Sequence, residues 1–253
     1  MAKIAPGTVA GVTPSIIPEV LPLGDSAVLV VVGDEVGVDT SAAVRRLDVA
    51  LDAVGAPGIV DVVPALVSLL VRFDPAVRSP EDVTVLVAEA AAAAPGMELP
   101  APRTWRVPAI YGGSDGPDLE AVADTLGRSA DAVIEAHTST ALTVLANGFA
   151  PGFCYLGLLG EEWDLPRRRE LHASVPAGSI SVAVRQTVLS ATPMPTGWST
   201  IAWTPLVNLR SDEGTPLVIE AGDRVRFEPV APVERERLVE LHAAGRLPVR
   251  ETP

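Results

Sequence analysis

Short apolar runs alternate with amphipathic stretches from about residue 27 onward. "AVLVVVG" (27–33) reads as a strand. "SAAVRRLDVALDAVG" (41–55) reads as a helix, with Ser41 at its N-cap and Gly55 past its end. "IVDVVPAL" and "VSLLVRFDP" (59–75) read as two strands, and Pro64 makes the first an edge or a broken strand. "SPEDVTVLVAEAAAAA" (79–94) reads as a second helix: Ser79 caps it, Pro80 opens it and acids fill its first turn. The order β-α-β-β-α predicts a small α+β unit with helices on one face of a sheet. Residues 1–20 are broken by Pro and Gly and are expected to form a floppy arm.

"PGMELPAPR" (95–103), with three prolines, is the best linker. "TWRVPAIYGG" then enters a second unit as a strand. "GPDLEAVADTLG" is a helix opened by Pro117 and closed by Gly127, with Leu119, Val122, Ala123 and Leu126 along one face. "SADAVIEAHTST" is another, capped by Ser129. From 141 to about 230 the texture is strand-like, cut by Gly and Pro, and "PVERERLVELHAAGRL" closes the chain as a charged amphipathic helix. The expected domains are therefore an arm (1–20), an α+β domain (21–100), a β-rich domain (101–230) and a helical tail (231–253).

Composition narrows the chemistry. The net charge is −13, with no basic stripe, so most of the surface repels nucleic acid. The run Arg167-Arg168-Arg169 is the local exception: a solvated loop, or a contact for an anion or partner. Lys3 is the only lysine, which rules out a phosphate loop, a Ser-Ser-Lys amidase set or a biotinyl lysine in a folded domain. His137, His172 and His242 are far apart in sequence, and no metal site is expected. The single cysteine forms no internal disulfide. With no export signal and no apolar run of membrane-spanning length, a cytoplasmic protein with no membrane partner is expected.

Against an aromatic content of 4%, "NGFAPGFCYLGLL" (147–159) holds three of the six Phe and Tyr residues. Phe149, Pro151, Phe153 and Tyr155 occupy alternate positions. In an extended chain they share one face, opposite Ala150, Gly152, Cys154 and Leu156. Two readings stand: a kinked strand lining a groove with rings, or rings that fill a core. Cys154 reads as a small buried apolar group. His137 lies on a helix face with Ala130, Val133 and Ile134, either as a satisfied core histidine or as a functional one. In "SVPAGSISVAVRQTVLSATPMPTGWSTIAWTP" (174–205), Arg185 and Gln186 interrupt an apolar run and need polar partners. Trp198 follows a Pro-rich loop, as a recognition edge or a half-buried indole.

Taken in order, "GFAPGFCYLG", "VPAGSISVAVRQT" and "PTGWSTIAWTP" resemble the allophanate hydrolase subunit 1 family, which includes the B-type subunit of 5-oxoprolinase and the kinase inhibitor KipI. "LPLGDSAVLV" and "IVDVVPALVSLLVRFDP" fit its N-terminal part, so the likeness runs from about 21 to 229. It implies an α+β N-terminal domain followed by a cyclophilin-like β-barrel. It also implies a non-autonomous subunit sharing a site with a cyclophilin-like partner, the subunit 2 or C-type subunit, and in 5-oxoprolinase with a third, LamB/YcsF-type subunit. The expected activity is ATP-dependent hydrolysis of a small amide or lactam, with the ATP used by the complex and no cofactor held by this chain. The 5-oxoprolinase type is preferred, because no biotin carrier or carboxylase is fused here. The alternatives are an allophanate hydrolase or urea carboxylase-type component and a KipI-like binding protein. On that scaffold His137 and Gln186 are the expected catalytic residues, and Phe149, Pro151, Gly152, Phe153, Tyr155, Arg185 and Trp198 the expected substrate-binding ones. The sequence departs from the family pattern in three places: Val184-Arg185 where Gly-Gly is usual, Pro195-Thr196-Gly197-Trp198 for Pro-Gly-Gly-Trp, and Ile201-Ala202-Trp203-Thr204-Pro205 for Ile-Gly-Arg-Thr-Pro.

Overall fold

The computed structural model describes residues 18–209, 216–246 and the backbone of 249–251. Residues 1–17 of the expected arm lie outside the described residues. The chain divides into two compact units: one holds the segment ending at Glu35 together with Ala43–Leu99, the other Val36–Ala42 and the chain from Pro100 on.

The first unit contains β1 (Glu19–Pro22), β2 (Ala27–Val31), α1 (Val38–Val54, counted from Ala43), β3 (Ile59–Pro64), β4 (Ser68–Phe73) and α2 (Pro80–Ala93). The strands form one antiparallel sheet in the order β1-β2-β4-β3. β1 starts inside the segment expected to be an arm, because Glu19–Pro22 pairs along β2. β3 is an edge strand ending at Pro64, where a missing donor costs no ladder bond. Val28 and Val30, then Leu69, Val71 and Phe73, alternate into the core. They meet Val44, Leu47 and Leu51 of α1 and Val83, Leu86, Val87 and Ala90 of α2, both at helical spacing. α1 begins three residues before Ser41, which therefore lies inside its first turn and not at its cap. Ser79 caps α2 as expected: its hydroxyl accepts from the Asp82 N–H, and the Asp82 carboxylate accepts from the Ser79 N–H.

The second unit is a closed barrel with helices. Its strands are β5 (Thr104–Tyr111), β6 (Leu142–Asn147), β7 (Cys154–Gly157), β9 (Ser179–Ala183), β10 (Gln186–Leu189), β12 (Ser199–Trp203) and β13 (Arg224–Pro229). The order is β12-β9-β10-β7-β6-β13-β5, and β5 pairs back onto β12 to close the ring. All pairings are antiparallel except β13 with β5, which run parallel. Two helices, α3 (Leu119–Leu126) and α4 (Ala130–Ser139), connect β5 to β6. Gly127 at φ 63° ends α3 and Ser129 caps α4, both as the sequence predicts. β8 (His172–Val175) and β11 (Met194–Thr196) form a separate two-stranded ribbon. α5 (Arg235–Ala243) follows β13. The tail is not purely helical: β14 (Val249–Glu251) pairs with the first half of β5, whose second half is taken by β12. Among the described residues no helix is long and apolar enough to cross a membrane.

Inward positions are apolar and come from every barrel strand, among them Val107, Val144, Leu156, Ile180, Leu189, Ile201 and Phe227. The β9–β10 connection is the tightest turn of the barrel. Val184 and Arg185 form it alone, at φ 44° and 62°. Two-residue hairpins of this hand favour Asn and Gly, and a β-branched residue at positive φ is strained. The Val184 and Arg185 N–H groups donate to the carbonyls of Leu165 (2.8 Å) and Trp163 (3.0 Å), which hold the turn in place. Val184→Asn is therefore expected to stabilise the protein by about 1 kcal/mol, read as a higher urea midpoint at unchanged slope. An unchanged or lower midpoint would show that the turn carries no strain.

Candidate functional site

Outward-facing positions of four adjacent strands carry a different chemistry. Thr200 of β12 lies opposite Ser181 of β9, Ser181 opposite Val188 of β10, and Val188 opposite Tyr155 of β7. One row across the outer wall thus runs from hydroxyls to a ring, and the Ser181 and Thr200 hydroxyls bond each other at 2.9 Å. Around the Tyr155 end, Phe153, Ala183, Val188 and Trp198 form a buried cluster, with Ala150, Tyr155 and Met194 packed against it. The rings follow one another: Phe149 to Phe153 at 5.9 Å, Phe153 to Tyr155 at 5.1 Å, Tyr155 to Trp198 at 6.3 Å between centroids. Expected site residues Phe149, Phe153, Tyr155 and Trp198 are therefore brought together. They form an aromatic patch on the outside of the barrel, separate from its core.

The local path differs from an extended run of alternating residues. Only Cys154–Gly157 is strand. Residues 148–153 form a compact loop, with Gly148, Phe149 and Gly152 at φ 150°, 74° and 77°. The Gly148 N–H donates to Phe153 O, and the Phe153 N–H to Ala150 O. Gly152 is required twice over: its φ disfavours a side chain, and a Cβ would meet the Asn208 carbonyl oxygen at 2.7 Å. Pro151 is exposed and lies in the loop apart from the ring series, and Phe149 at the loop's tip is 81% exposed. Cys154 points inward. Asn208 and Asn147 amides donate to its sulfur at 2.8 and 3.1 Å, and burial pushes the thiol up to about 12, as suits an inert core residue.

Beside the patch lies a polar hub that the sequence reading missed. Asp118 is buried at the start of α3, where a helix cap is expected, yet its carboxylate makes no cap bond. It accepts from the Thr200 N–H at 2.7 Å, pairs with Arg168, and bonds His172 Nε2 at 2.7 Å. Arg168 lies in the segment that leads into β8 and His172 is that strand's first residue, and the Arg168 N–H also donates to Gly197 O, next to Trp198. This hub ties the β8–β11 ribbon to the hydroxyl end of the outer row. The arginine run is thus divided: Arg168 is an ion-pair partner of Asp118, and Arg167 lies over the Trp198 ring at 5.8 Å. The carboxylate lies 50, 54 and 82 residues from Arg168, His172 and Thr200, and the one local signal is an Asp at a helix start.

His137 requires a correction. The sequence leaves it either a satisfied core histidine or, on the family scaffold, a catalytic residue; it is wholly buried, reaching from α4 into the barrel. Nδ1 bonds the Tyr111 hydroxyl (2.7 Å), Nε2 bonds the Thr187 hydroxyl (2.9 Å), and the ring stacks on Phe227 at 5.2 Å. Burial lowers its pKa to about 3, so at neutral pH it is a neutral core residue with both nitrogens occupied. Gln186, the other expected catalytic residue, shares the outer face of β10 with Val188, opposite Gly157 and Ala183. Arg185 forms the strained turn, and its Nε lies 3.3 Å from the Leu159 carbonyl oxygen. Gln186 thus lies level with Gly157, and its other partner, Ala183, is itself part of the ring cluster, while Arg185 lies beyond that end of β7. The expected residues thus fall into three places: the aromatic patch, the hairpin tip and the barrel core.

Residues 18–219 match the family described as "Carboxyltransferase domain, subdomain C and D". The chain belongs to this family. It is 34% identical over 219 residues to the B-type subunit of 5-oxoprolinase from Bacillus subtilis (strain 168), covering 81% of this chain and 90% of that protein. The crystal structure of TTHA0988 matches with a TM-score of 0.69 and 30% identity, over 81% of this chain and 40% of that one. K. lactis urea amidolyase matches with a TM-score of 0.75 over 96% of this chain and 17% of that one; at 17% identity this is a likeness of fold. The chain therefore spans less than half the length of those two solved chains. Within this carboxyltransferase family, the departure at Trp203 falls away from the aromatic patch. Its ring packs with Ile110 and Leu238 of α5, and its Nε1 donates to Ala177 O.

The state of His137 sets a pH dependence. Unfolded, the imidazole takes a proton near 6.5; folded, only near 3. Between these values the unfolded chain binds the extra proton, so this residue favours unfolding progressively as pH falls from 6.5 toward 3 and has no such effect above that window. Relative to His137→Gln, the native protein should lose up to about 1.4 kcal/mol of stability per pH unit between pH 6 and 4. Urea unfolding at several pH values measures the difference, and equal slopes would place a titrating, solvent-reached imidazole at this position.

Proposed function

We propose that this chain is the B-type subunit of a 5-oxoprolinase-type hydrolase. It acts with a cyclophilin-like C-type subunit, and with a third LamB/YcsF-type subunit, in ATP-dependent opening of a small lactam. The observation that carries this reading is the match to a 5-oxoprolinase subunit of the same type across 90% of that protein's length. The form of the outer wall supports it. The ring series ends in the exposed Phe149, so this side of the barrel presents an aromatic wall for a small ring. In this reading Phe153, Tyr155 and Trp198 flank the substrate, Gln186 offers an amide to a carbonyl, and the partner subunit supplies the remaining groups. ATP is consumed by the complex and not held by this chain. The likeness of fold to urea amidolyase favours one second reading, a urea-like amide as substrate.

Co-expression with the other two subunits, followed by assay of ATP-dependent conversion of 5-oxoproline to glutamate, tests the proposal. Turnover is expected only with all three subunits, and Trp198→Ala is expected to lower it about tenfold or more through lost ring contact. Turnover by this chain alone would overturn the shared-site reading. A firm complex that leaves 5-oxoproline intact but consumes urea or allophanate would replace it with the second reading.

A further inference from the structure

In a chain of net charge −13, residues 167–169 concentrate three positive charges beside the aromatic patch. The three are not equivalent. Arg168 is committed to Asp118, and Arg169 is exposed. Arg167 holds its guanidinium carbon 5.8 Å from the centre of the Trp198 ring, and its charge also acts on the half-buried Tyr155 hydroxyl. Among the described residues no carboxylate pairs with it. Asp118, the buried carboxylate on this side, is already occupied by Arg168, His172 and the Thr200 N–H. A contact to a ring face engages the charge of a guanidinium and leaves its N–H donors for other partners. A fork of such donors fits a carboxylate, and a strongly anionic protein binds a small anion only where a local cation offsets the overall repulsion.

We infer that Arg167 is a specificity-determining residue of the aromatic patch, recognising the carboxylate of a small lactam acid whose ring lies against Trp198, Tyr155 and Phe153. This rests on the lactam reading above and adds to it the group that selects the charged substrate. Of the two readings of the arginine run, a solvated loop or a contact for an anion, it takes the second, and assigns it to the residue that faces the rings.

The test is calorimetric titration of the co-expressed complex with two probes, 5-oxoproline and 2-pyrrolidinone, the same lactam ring without the carboxylate. The native protein is expected to bind 5-oxoproline about tenfold or more tightly than 2-pyrrolidinone. Arg167→Gln is expected to remove that preference by weakening 5-oxoproline alone, and Arg167→Lys to keep part of it. Arg169→Gln, an equal loss of charge close by in the same run, is expected to leave it intact. No preference in the native protein, no detectable binding of 5-oxoproline, or an equal loss in Arg169→Gln would each overturn the inference. If the preference depends on Arg167 while the complex fails to turn 5-oxoproline over, the carboxylate site stands and the hydrolase reading falls. If turnover occurs and binding ignores Arg167, the hydrolase reading stands and the carboxylate site falls.

Discussion

A barrel of seven strands encloses room for side chains and for little else. Here that space is filled from every strand, and α4 adds the imidazole of His137, stacked on Phe227 and bonded at both nitrogens. The rest of the unit follows from this filled interior. Because strand residues alternate, whatever is not core lies on the outer wall, and the outer wall is where hydroxyls, rings and charges gather. The ring of strands is closed by only two residue pairs, Tyr111 with Ala202 and Ile110 with Trp203. So short a seam leaves the first half of β5 open, and β14 occupies it.

The outer wall is bounded by strain. Three non-glycine residues among those described have positive φ, and they sit at its two ends: Phe149 beyond the Cys154 end of β7, Val184 and Arg185 beyond the Gly157 end. Such conformations persist where surrounding contacts determine them. At the hairpin tip those contacts are explicit, two backbone bonds from the turn to the 163–165 segment. At Phe149 the ring touches Phe153 only at its edge and is otherwise exposed, so packing within this chain explains little of its position. A large ring held out on a strained loop tip is what a contact with another molecule uses.

The elements legible in the sequence were those whose causes are local. Ser79, Pro80 and Asp82 mark the start of α2 within four residues, Gly127 and Ser129 separate α3 from α4, and Pro64 marks an edge. What was not legible depends on distant partners. The parallel pairing of β13 with β5 joins residues 120 apart, and nothing in "RVRFEP" announces it. The rings of 147–159 stood out by composition, but whether they filled a core or faced outward depended on turns of positive φ that the alternation of residues concealed. His137 shared a helix face with apolar residues, and that pattern was the sounder guide; its nearness to the ring segment in sequence was not. Asp118 was invisible as a hub because its carboxylate is spent on Thr200, Arg168 and His172, all at least 50 residues away in sequence.

The substitution at Trp203 shows why a departure from family pattern must be placed before it is interpreted. From sequence, the indole is only a departure from the family pattern, standing where that pattern has arginine. In the fold its ring meets Ile110 and Leu238, and the guanidinium carbon of Arg235 lies 4.0 Å from its centre while Arg235 Nε reaches Asp115 at 3.2 Å. A cation from α5 therefore lies over this ring, which provides the surface on which it rests. Through these contacts the indole joins α5 to β5 of the barrel. Of the family departures, those at Val184-Arg185 and Trp203 bear on how the barrel is held together, and Thr196 alone reaches the ring patch, by accepting the Trp198 N–H at 3.1 Å. Where the usual glycine stands, no side chain could make that bond; here it fixes the approach of the indole against which Arg167 lies.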